Sequence, residues 1–344
     1  MYTPLGDNPE HTSSLCELLQ LGASQNKPTR LSGGFHHLVW RLETARGTYV
    51  IKQLAPDTDL ENPATAAHFN ATERVAASFA ACGIDAIHAL PVGDTYLHVL
   101  DKVGYLVYPW TDAVALEKDI VSETHALKVA RLLAKLHMMY INAPVIAAEE
   151  QEPITEVEVE NLVHLAMKHN IENSQEIKKR LPQLKSICAA RADAVAVLEQ
   201  RQVVSHGDLD QKNVLWRDNG SPVLIDWEAA RLLNPTREVL EEALDWSGFL
   251  SSFDEAVFGK FIREYQLAGG IMKRGEIDAA LDAVLGGWLD WLAYNVGRVI
   301  NMKEDQQRAL GNHQVELALS SITLLQRLVP KLSAILEGEN LSPD

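Results

Sequence analysis

Apolar and polar positions alternate through the first third of the chain. Leu38-Val39-Trp40-Arg41-Leu42 and Tyr49-Val50-Ile51-Lys52 read as strands, with Gly47-Thr48 between them, and the period of two with turn residues at these intervals predicts an antiparallel β-meander. Three more short apolar runs, 89–92, 96–100 and 105–108, are predicted to complete the sheet. Two stretches carry the helical period instead. Residues 13–24 place Leu15, Leu18, Leu19 and Leu21 on one stripe, and residues 63–82 begin at Pro63 and stop before Gly83, a start and a stop that suit a helix.

Beyond Pro109-Trp110-Thr111-Asp112 the helical period takes over. Val129, Leu132, Leu133, Leu136 and Tyr140 share one face of a helix over 125–140, and further helices are predicted at 154–168, 173–199 (kinked or broken at Pro182), 236–249, 253–268, 276–301 and 312–336. A single extended stretch interrupts them. VVSHGDLDQKNVLWRDNGSPVLIDWE, from Val203 to Glu228, reads as a strand at 214–216, a turn at 218–221 and a returning strand at 223–225, a hairpin that ends on Asp226. The pattern predicts an α+β chain with an N-terminal sheet lobe at 1–108 and a mostly helical lobe at 109–344.

That hairpin carries chemistry. A hydroxyl attacking the γ-phosphate of a nucleotide needs a carboxylate to orient it and accept its proton, and the phosphates need a divalent cation on oxygen ligands. Asp208 suits the first task, and Asn213 and Asp226 the second. His206-Gly207-Asp208 followed by Asn213, then Ile225-Asp226-Trp227-Glu228, resembles the catalytic and metal-binding loops of the aminoglycoside phosphotransferase and choline kinase superfamily, the small-molecule relatives of protein kinases.

The resemblance implies a bilobal protein-kinase-like fold over most of residues 29–300, with Mg²⁺ and ATP or GTP as phosphoryl donor. It places the nucleotide-covering loop at Ser32, Gly33 and Gly34, where His36 and His37 depart from the usual polar residues, and the phosphate-binding lysine at Lys52. Glu73, on an otherwise apolar helix face, is assigned as partner of Lys52 because a lone acid there needs one; Glu61 is the alternative. The hinge falls near Tyr108 and Trp110, where the chain would receive adenine. His137 is read as a core residue and His206 as a shaper of the loop.

Composition narrows the partners. The 344 residues are 47% hydrophobic and 23% charged with a formal net charge of −16, which argues against nucleic acid and anionic membranes, themselves negative. The three cysteines, Cys16, Cys82 and Cys188, are too scattered for a disulfide framework or a zinc site. Neither a signal peptide nor a membrane-spanning run is visible, so a cytoplasmic protein is expected.

Two rival functions are weighed against a small-molecule kinase. A protein serine/threonine kinase is disfavoured because Asp210 stands where those enzymes place a lysine, Asp226 is followed by Trp-Glu, and no Ala-Pro-Glu segment follows. A non-catalytic nucleotide-binding protein is disfavoured because Lys52, Glu73, Asp208, Asn213 and Asp226 are all present. For the acceptor, Glu228, Trp246, Trp288, Asp290 and Trp291 are candidates: aromatic faces beside carboxylates suit an ammonium group, so an amine-bearing alcohol or aminoglycoside is expected.

Overall fold

A computed structural model describes residues 2–31, 36–117, 120–141, 154–302 and 305–338. The chain divides into two compact units. The first takes the described residues of 1–120, 139–147 and 204–231, and the second those of 121–138, 148–203 and 232–344. This differs from a single boundary after residue 108, because the 203–228 hairpin is tied by hydrogen bonds to the N-terminal unit.

In the first unit α1 (Pro9–Leu18) opens on Asn8, whose side chain accepts the His11 N–H, with Pro9 in the first turn, an N-terminus of the expected chemistry. It starts earlier than the apolar stripe suggested and ends before Gln20 and Gly22, both left-handed. Then come β1 (Thr29–Arg30), β2 (Leu38–Thr44), β3 (Gly47–Gln53), α2 (Pro63–Ala81), β4 (His98–Leu100), β5 (Val103–Pro109) and β6 (Val114–Ala115). Five of these strands form one antiparallel sheet in the order β1-β2-β3-β5-β4.

Register decides which side chains share a face. Trp40 pairs with Ile51 and Ile51 with Val107, and these pack with Leu5, Leu15 and Leu21 in one core that includes α1. Lys52 is one residue on from Ile51, so it emerges on the opposite face, beside its partner Leu106, which packs with Phe69 of α2. Residues 89–92 do not become a strand. The Ala89 N–H donates to Glu73 Oε2 at 2.6 Å rather than to a ladder, and Pro91 has no N–H to offer.

After β7 (Val203–Ser205), the strands β8 (Val214–Trp216) and β9 (Pro222–Leu224) form the expected hairpin, with β6 on its outer side. Gly220 at φ 73° makes the turn, and Asn219 Oδ1 accepts the Ser221 N–H at 2.9 Å. The Leu224 N–H donates to the Asp85 carbonyl at 2.8 Å and the Ile87 N–H to that of Leu224 at 2.9 Å, while Arg217 holds the Asp85 carboxylate through Nε and Nη2 at 2.8 and 3.0 Å.

The second unit is helical: α3 (Glu123–Met138), α4 (Glu156–Lys168), α5 (Ser174–Lys179), α6 (Leu181–Leu198), α7 (Pro235–Trp246), α8 (Glu255–Leu267), α9 (Ile277–Asn301) and α10 (Asp305–Glu337). The helix predicted over 173–199 is two, because Pro182 sits in the first turn of α6 and leaves Arg180 between them. His137 is a core residue as expected, bonded through Nδ1 to the Tyr265 hydroxyl and through Nε2 to Glu238 Oε2, both at 2.7 Å. Among the described residues no helix is long and apolar enough to cross a membrane.

Candidate active site

The loop between β7 and β8 carries His206, Gly207, Asp208 and Asn213, all in the first unit with Lys52 and Asp226. Gly207 has φ 76°, and a Cβ there would collide with the Ala229 carbonyl oxygen and lie 2.6 Å from Arg231 Nη1. Only glycine fits. Gly207→Ala is therefore expected to cost about 1–2 kcal/mol from the left-handed backbone alone and more from the carbonyl clash. Denaturant midpoints check this, and an unchanged midpoint would contradict it.

His206 is fully buried and bonds through Nε2 to the Ile225 carbonyl at 3.0 Å, so it clasps the loop to the strand end before Asp226. Its ring also lies 4.5 Å from that of Trp227, which stacks on Phe79 of α2 at 5.3 Å. The tryptophan after Asp226 is thus an anchor. It holds Asp226 at φ 62°, ψ 64°, a left-handed conformation an aspartate tolerates at some cost.

Asp208 and Asn213 meet directly. Asn213 Nδ2 donates to Asp208 Oδ2 and to the Asp208 carbonyl, both at 2.9 Å, which fixes the carboxamide with its oxygen turned away from Asp208. Asp226 Oδ1 accepts from Lys52 Nζ at 2.9 Å, and Glu228 Oε1 accepts from the same ammonium at 2.7 Å. Burial works to lower the Lys52 pKa, but the carboxylates of Glu228 and Asp226 more than offset it and raise it. Burial likewise pushes the Asp226 carboxyl up, and Lys52 outweighs it, holding the group below its ordinary range. The pair is ionised.

Glu73 does not hold Lys52 as expected. The residue is 2% exposed, and its carboxylate is filled by other donors, the Tyr108 hydroxyl on Oε1 and the Ala89 N–H on Oε2, each at 2.6 Å. Lys52 finds Glu228 instead. The signal for that partner lies in the two-residue spacing of Asp226 and Glu228, which brings both carboxylates to one ammonium. His37, marked in the sequence only as a departure from the usual covering loop, accepts the Ala55 N–H on Nδ1 at 3.0 Å while Nε2 lies 3.7 Å from Glu228; desolvation lowers its pKa to about 4. Asp210 and Lys212 are further members: Lys212 Nζ lies 2.7 Å from Asp210 Oδ2 and 3.5 Å from Asp208 Oδ2.

Burial raises the Glu73 pKa from 4.5 to about 7, against the lowering pull of the Tyr108 and Ala89 hydrogen bonds. The folded state then binds more protons than the unfolded one between pH 4.5 and 7, so this group makes stability fall as pH rises through that window and adds nothing to the slope above it. Glu73→Gln, which can bond Ala89 through its oxygen and Tyr108 through its amide, is expected to flatten that slope by on the order of 1–3 kcal/mol across the window. Thermal unfolding of both proteins at several pH values checks this. Parallel curves would contradict it.

The remaining predicted residues divide by place. Ser32, Gly33 and Gly34 lie outside the described residues. The Tyr108 hydroxyl is committed to Glu73, and Trp110 is half-buried: its N–H donates to the Thr48 carbonyl at 3.1 Å, its Nε1–H to Asp112 at 2.9 Å, and Arg41 stacks 4.8 Å over its ring. Trp246, Trp288, Asp290 and Trp291 belong to the helical unit. Trp246 is buried, Trp288 packs against Phe249 at 5.9 Å, Asp290 is paired with Arg191, and Trp291 donates to Gln314 at 3.1 Å and stacks on Tyr294 at 5.4 Å. Glu228 belongs to the first unit, where it accepts from Lys52.

Among the described residues no group of three or more His, Cys, Asp or Glu is arranged to hold a metal. Asn213 and Asp226 offer one carboxamide and one carboxylate oxygen donor. That donor set fits Mg²⁺, which keeps water and substrate phosphates in most of its octahedron.

The profile of the phosphotransferase enzyme family (APH) matches residues 27–280. Comparison with curated protein sequences returns no match. Solved structures resemble the chain more widely. A spectinomycin phosphotransferase, APH(9)-Ia, in complex with ADP and spectinomycin overlays with a TM-score of 0.65 at 12% identity, covering 92% of this chain and 98% of that one. The choline kinase LicA of Streptococcus pneumoniae overlays with a TM-score of 0.60 at 16% identity, covering 91% and 100%. An ethanolamine kinase of Plasmodium vivax gives 0.56 at 12%, covering 85% and 82%. At these identities the likeness is one of fold: a five-stranded antiparallel sheet in the N-terminal region followed by a mostly helical C-terminal part. The family profile spans both the sheet with Lys52 and the hairpin with Asp208, Asn213 and Asp226, and the chain belongs to the phosphotransferase enzyme family.

Proposed function

We propose that the enzyme moves the γ-phosphoryl group of ATP to a hydroxyl of a small molecule, with Asp208 as the base, Lys52 on the donor phosphates, and Asn213 and Asp226 as ligands of Mg²⁺. The observation that carries this reading is the convergence of four residues on one compact unit: Asp208 bonded to Asn213, and Asp226 bonded to Lys52 from 174 positions away in sequence. Asp208 orients the acceptor hydroxyl and takes its proton. Bound Mg²⁺ would neutralise charge on the phosphates. Glu228 and Asp226 keep the Lys52 ammonium charged and fixed, and His206, Gly207 and Trp227 hold the two aspartates in place.

An amine-bearing alcohol is the acceptor class we favour. The net charge of −16 suits a cationic substrate, and the solved neighbours include kinases named for choline, ethanolamine and spectinomycin. A thermal-shift screen of amino alcohols, aminoglycosides and neutral sugars with MgATP, followed by mass spectrometry for a phosphorylated product, tests this. Phosphorylation of neutral sugars in preference to every amine in the panel would overturn the acceptor class.

A further inference from the structure

Lys212 stands on the base's side of the site with no part in the reaction as described. Its position is set chiefly by Asp210. Asp210 Oδ1 accepts the Lys212 N–H at 2.9 Å, Oδ2 accepts the Lys212 ammonium at 2.7 Å, and the Asp210 carbonyl accepts the Asn213 N–H at 3.0 Å. Both ends of the lysine are clamped by one short side chain. The ammonium is thereby set 3.5 Å from Asp208 Oδ2, the same oxygen that receives Asn213 Nδ2 at 2.9 Å.

Stability does not explain this arrangement. The Lys212 side chain is 64% exposed, and an ion pair so exposed contributes about 0–1 kcal/mol. Charge does. Asp208, Asp210, Asp226 and Glu228 together repel a triphosphate, and Lys52 is engaged by Asp226 and Glu228. The transferring phosphoryl group spreads negative charge over three equatorial oxygens, and a cation beside the base meets that charge where the acceptor arrives.

We propose that Lys212 is a catalytic cation that contacts the transferring phosphoryl group from the side of Asp208, and that Asp210 is its positioning residue. The inference rests on the phosphotransferase reading above. In the step it serves, the acceptor oxygen forms its bond to the γ-phosphorus as the bond from that phosphorus to the β–γ bridging oxygen breaks. The electron pair leaves with the nucleoside diphosphate, and the hydroxyl proton goes to the Asp208 carboxylate. Lys212 exchanges its long contact with Asp208 for one with a phosphoryl oxygen and keeps its charge throughout.

The test uses the full chain with MgADP, with MgADP plus aluminium fluoride as a mimic of the phosphoryl in flight, and with MgATP for turnover. Lys212→Met should lower kcat by about 10²-fold, the scale of removing one charge-stabilising donor. It should change MgADP affinity by less than about twofold and abolish the tightening that aluminium fluoride gives the wild type. Lys212→Arg should recover most of the lost kcat, and Asp210→Asn should lower kcat less than Lys212→Met does. An unchanged kcat in Lys212→Met overturns the proposal, as does a loss shared equally by MgADP binding and not rescued by arginine. A wild type that neither binds MgADP nor consumes MgATP overturns the phosphotransferase reading itself, and this inference with it.

Discussion

Asp208→Asn lowers kcat by about 10²–10⁴-fold, the usual scale for loss of a general base, while the KM for nucleotide stays nearly constant. The substitution is conservative for the fold: the new carboxamide oxygen still accepts from Asn213 Nδ2, which now bonds Oδ2 at 2.9 Å, so the loop keeps its shape. What is lost is the acceptor of the hydroxyl proton. Steady-state kinetics on the phosphorylated substrate, with a denaturation curve to show that the fold persists, check it. Near-full activity would remove Asp208 from its role.

The layout of this candidate site is partly legible in the sequence. The spacing of Asp208, Asn213 and Asp226 identified the hairpin because metal and base chemistry require oxygen ligands at a loop and at the end of the next strand, and turn residues at 218–221 mark where the chain reverses. Lys52 was singled out by the family resemblance, since a lysine near a strand end is by itself an ordinary solvated charge; the structure brings it to Asp226 and Glu228. The partner of that lysine was not legible. Glu73 looked like an acid in need of a cation, yet a buried carboxylate is satisfied equally by a phenol and a backbone amide, and neither Tyr108 nor Ala89 announces itself by charge. Pattern also failed at 89–92, an apolar run whose first N–H is claimed by that same Glu73. Helix ends shifted for a similar reason: Asn8 and Pro9 start α1 ahead of its leucine stripe, because capping is set by polar residues outside the hydrophobic period. The aromatic and acidic residues of α9 share helical spacing in either of two roles, core or ligand, and it takes their contacts, Asp290 with Arg191, Trp288 with Phe249 and Trp291 with Gln314, to show what they do within their own unit.

Lys52→Ala weakens binding of nucleoside triphosphate and slows turnover together, because it removes the cation for the donor phosphates and leaves Asp226 and Glu228 facing each other. The Lys52 side chain is only 12% exposed, so the two carboxylates lose a partner that water replaces poorly. The coupling expected for Glu73 transfers to Glu228. In a double-mutant cycle on kcat/KM, Lys52→Ala and Glu228→Ala should deviate from additivity by about 0.5–3 kcal/mol, the range for residues in one ion-pair network, and Lys52→Ala with Glu73→Gln by less. Strict additivity of the Lys52 and Glu228 effects would show that Glu228 does not act through the lysine.

The proposed dependence of phosphoryl transfer on Mg²⁺ rests on Asp226, which lies beside Lys52. Its most direct test follows label from the γ-phosphate of ATP into a small alcohol, for the wild type and Asp226→Ala, with Mg²⁺ and with a chelator. Label should move in the wild type only when Mg²⁺ is present, and not measurably in Asp226→Ala, which should still fold. Transfer at the wild-type rate by Asp226→Ala, or no transfer by a folded wild type that holds MgATP and binds the alcohol, would contradict the account.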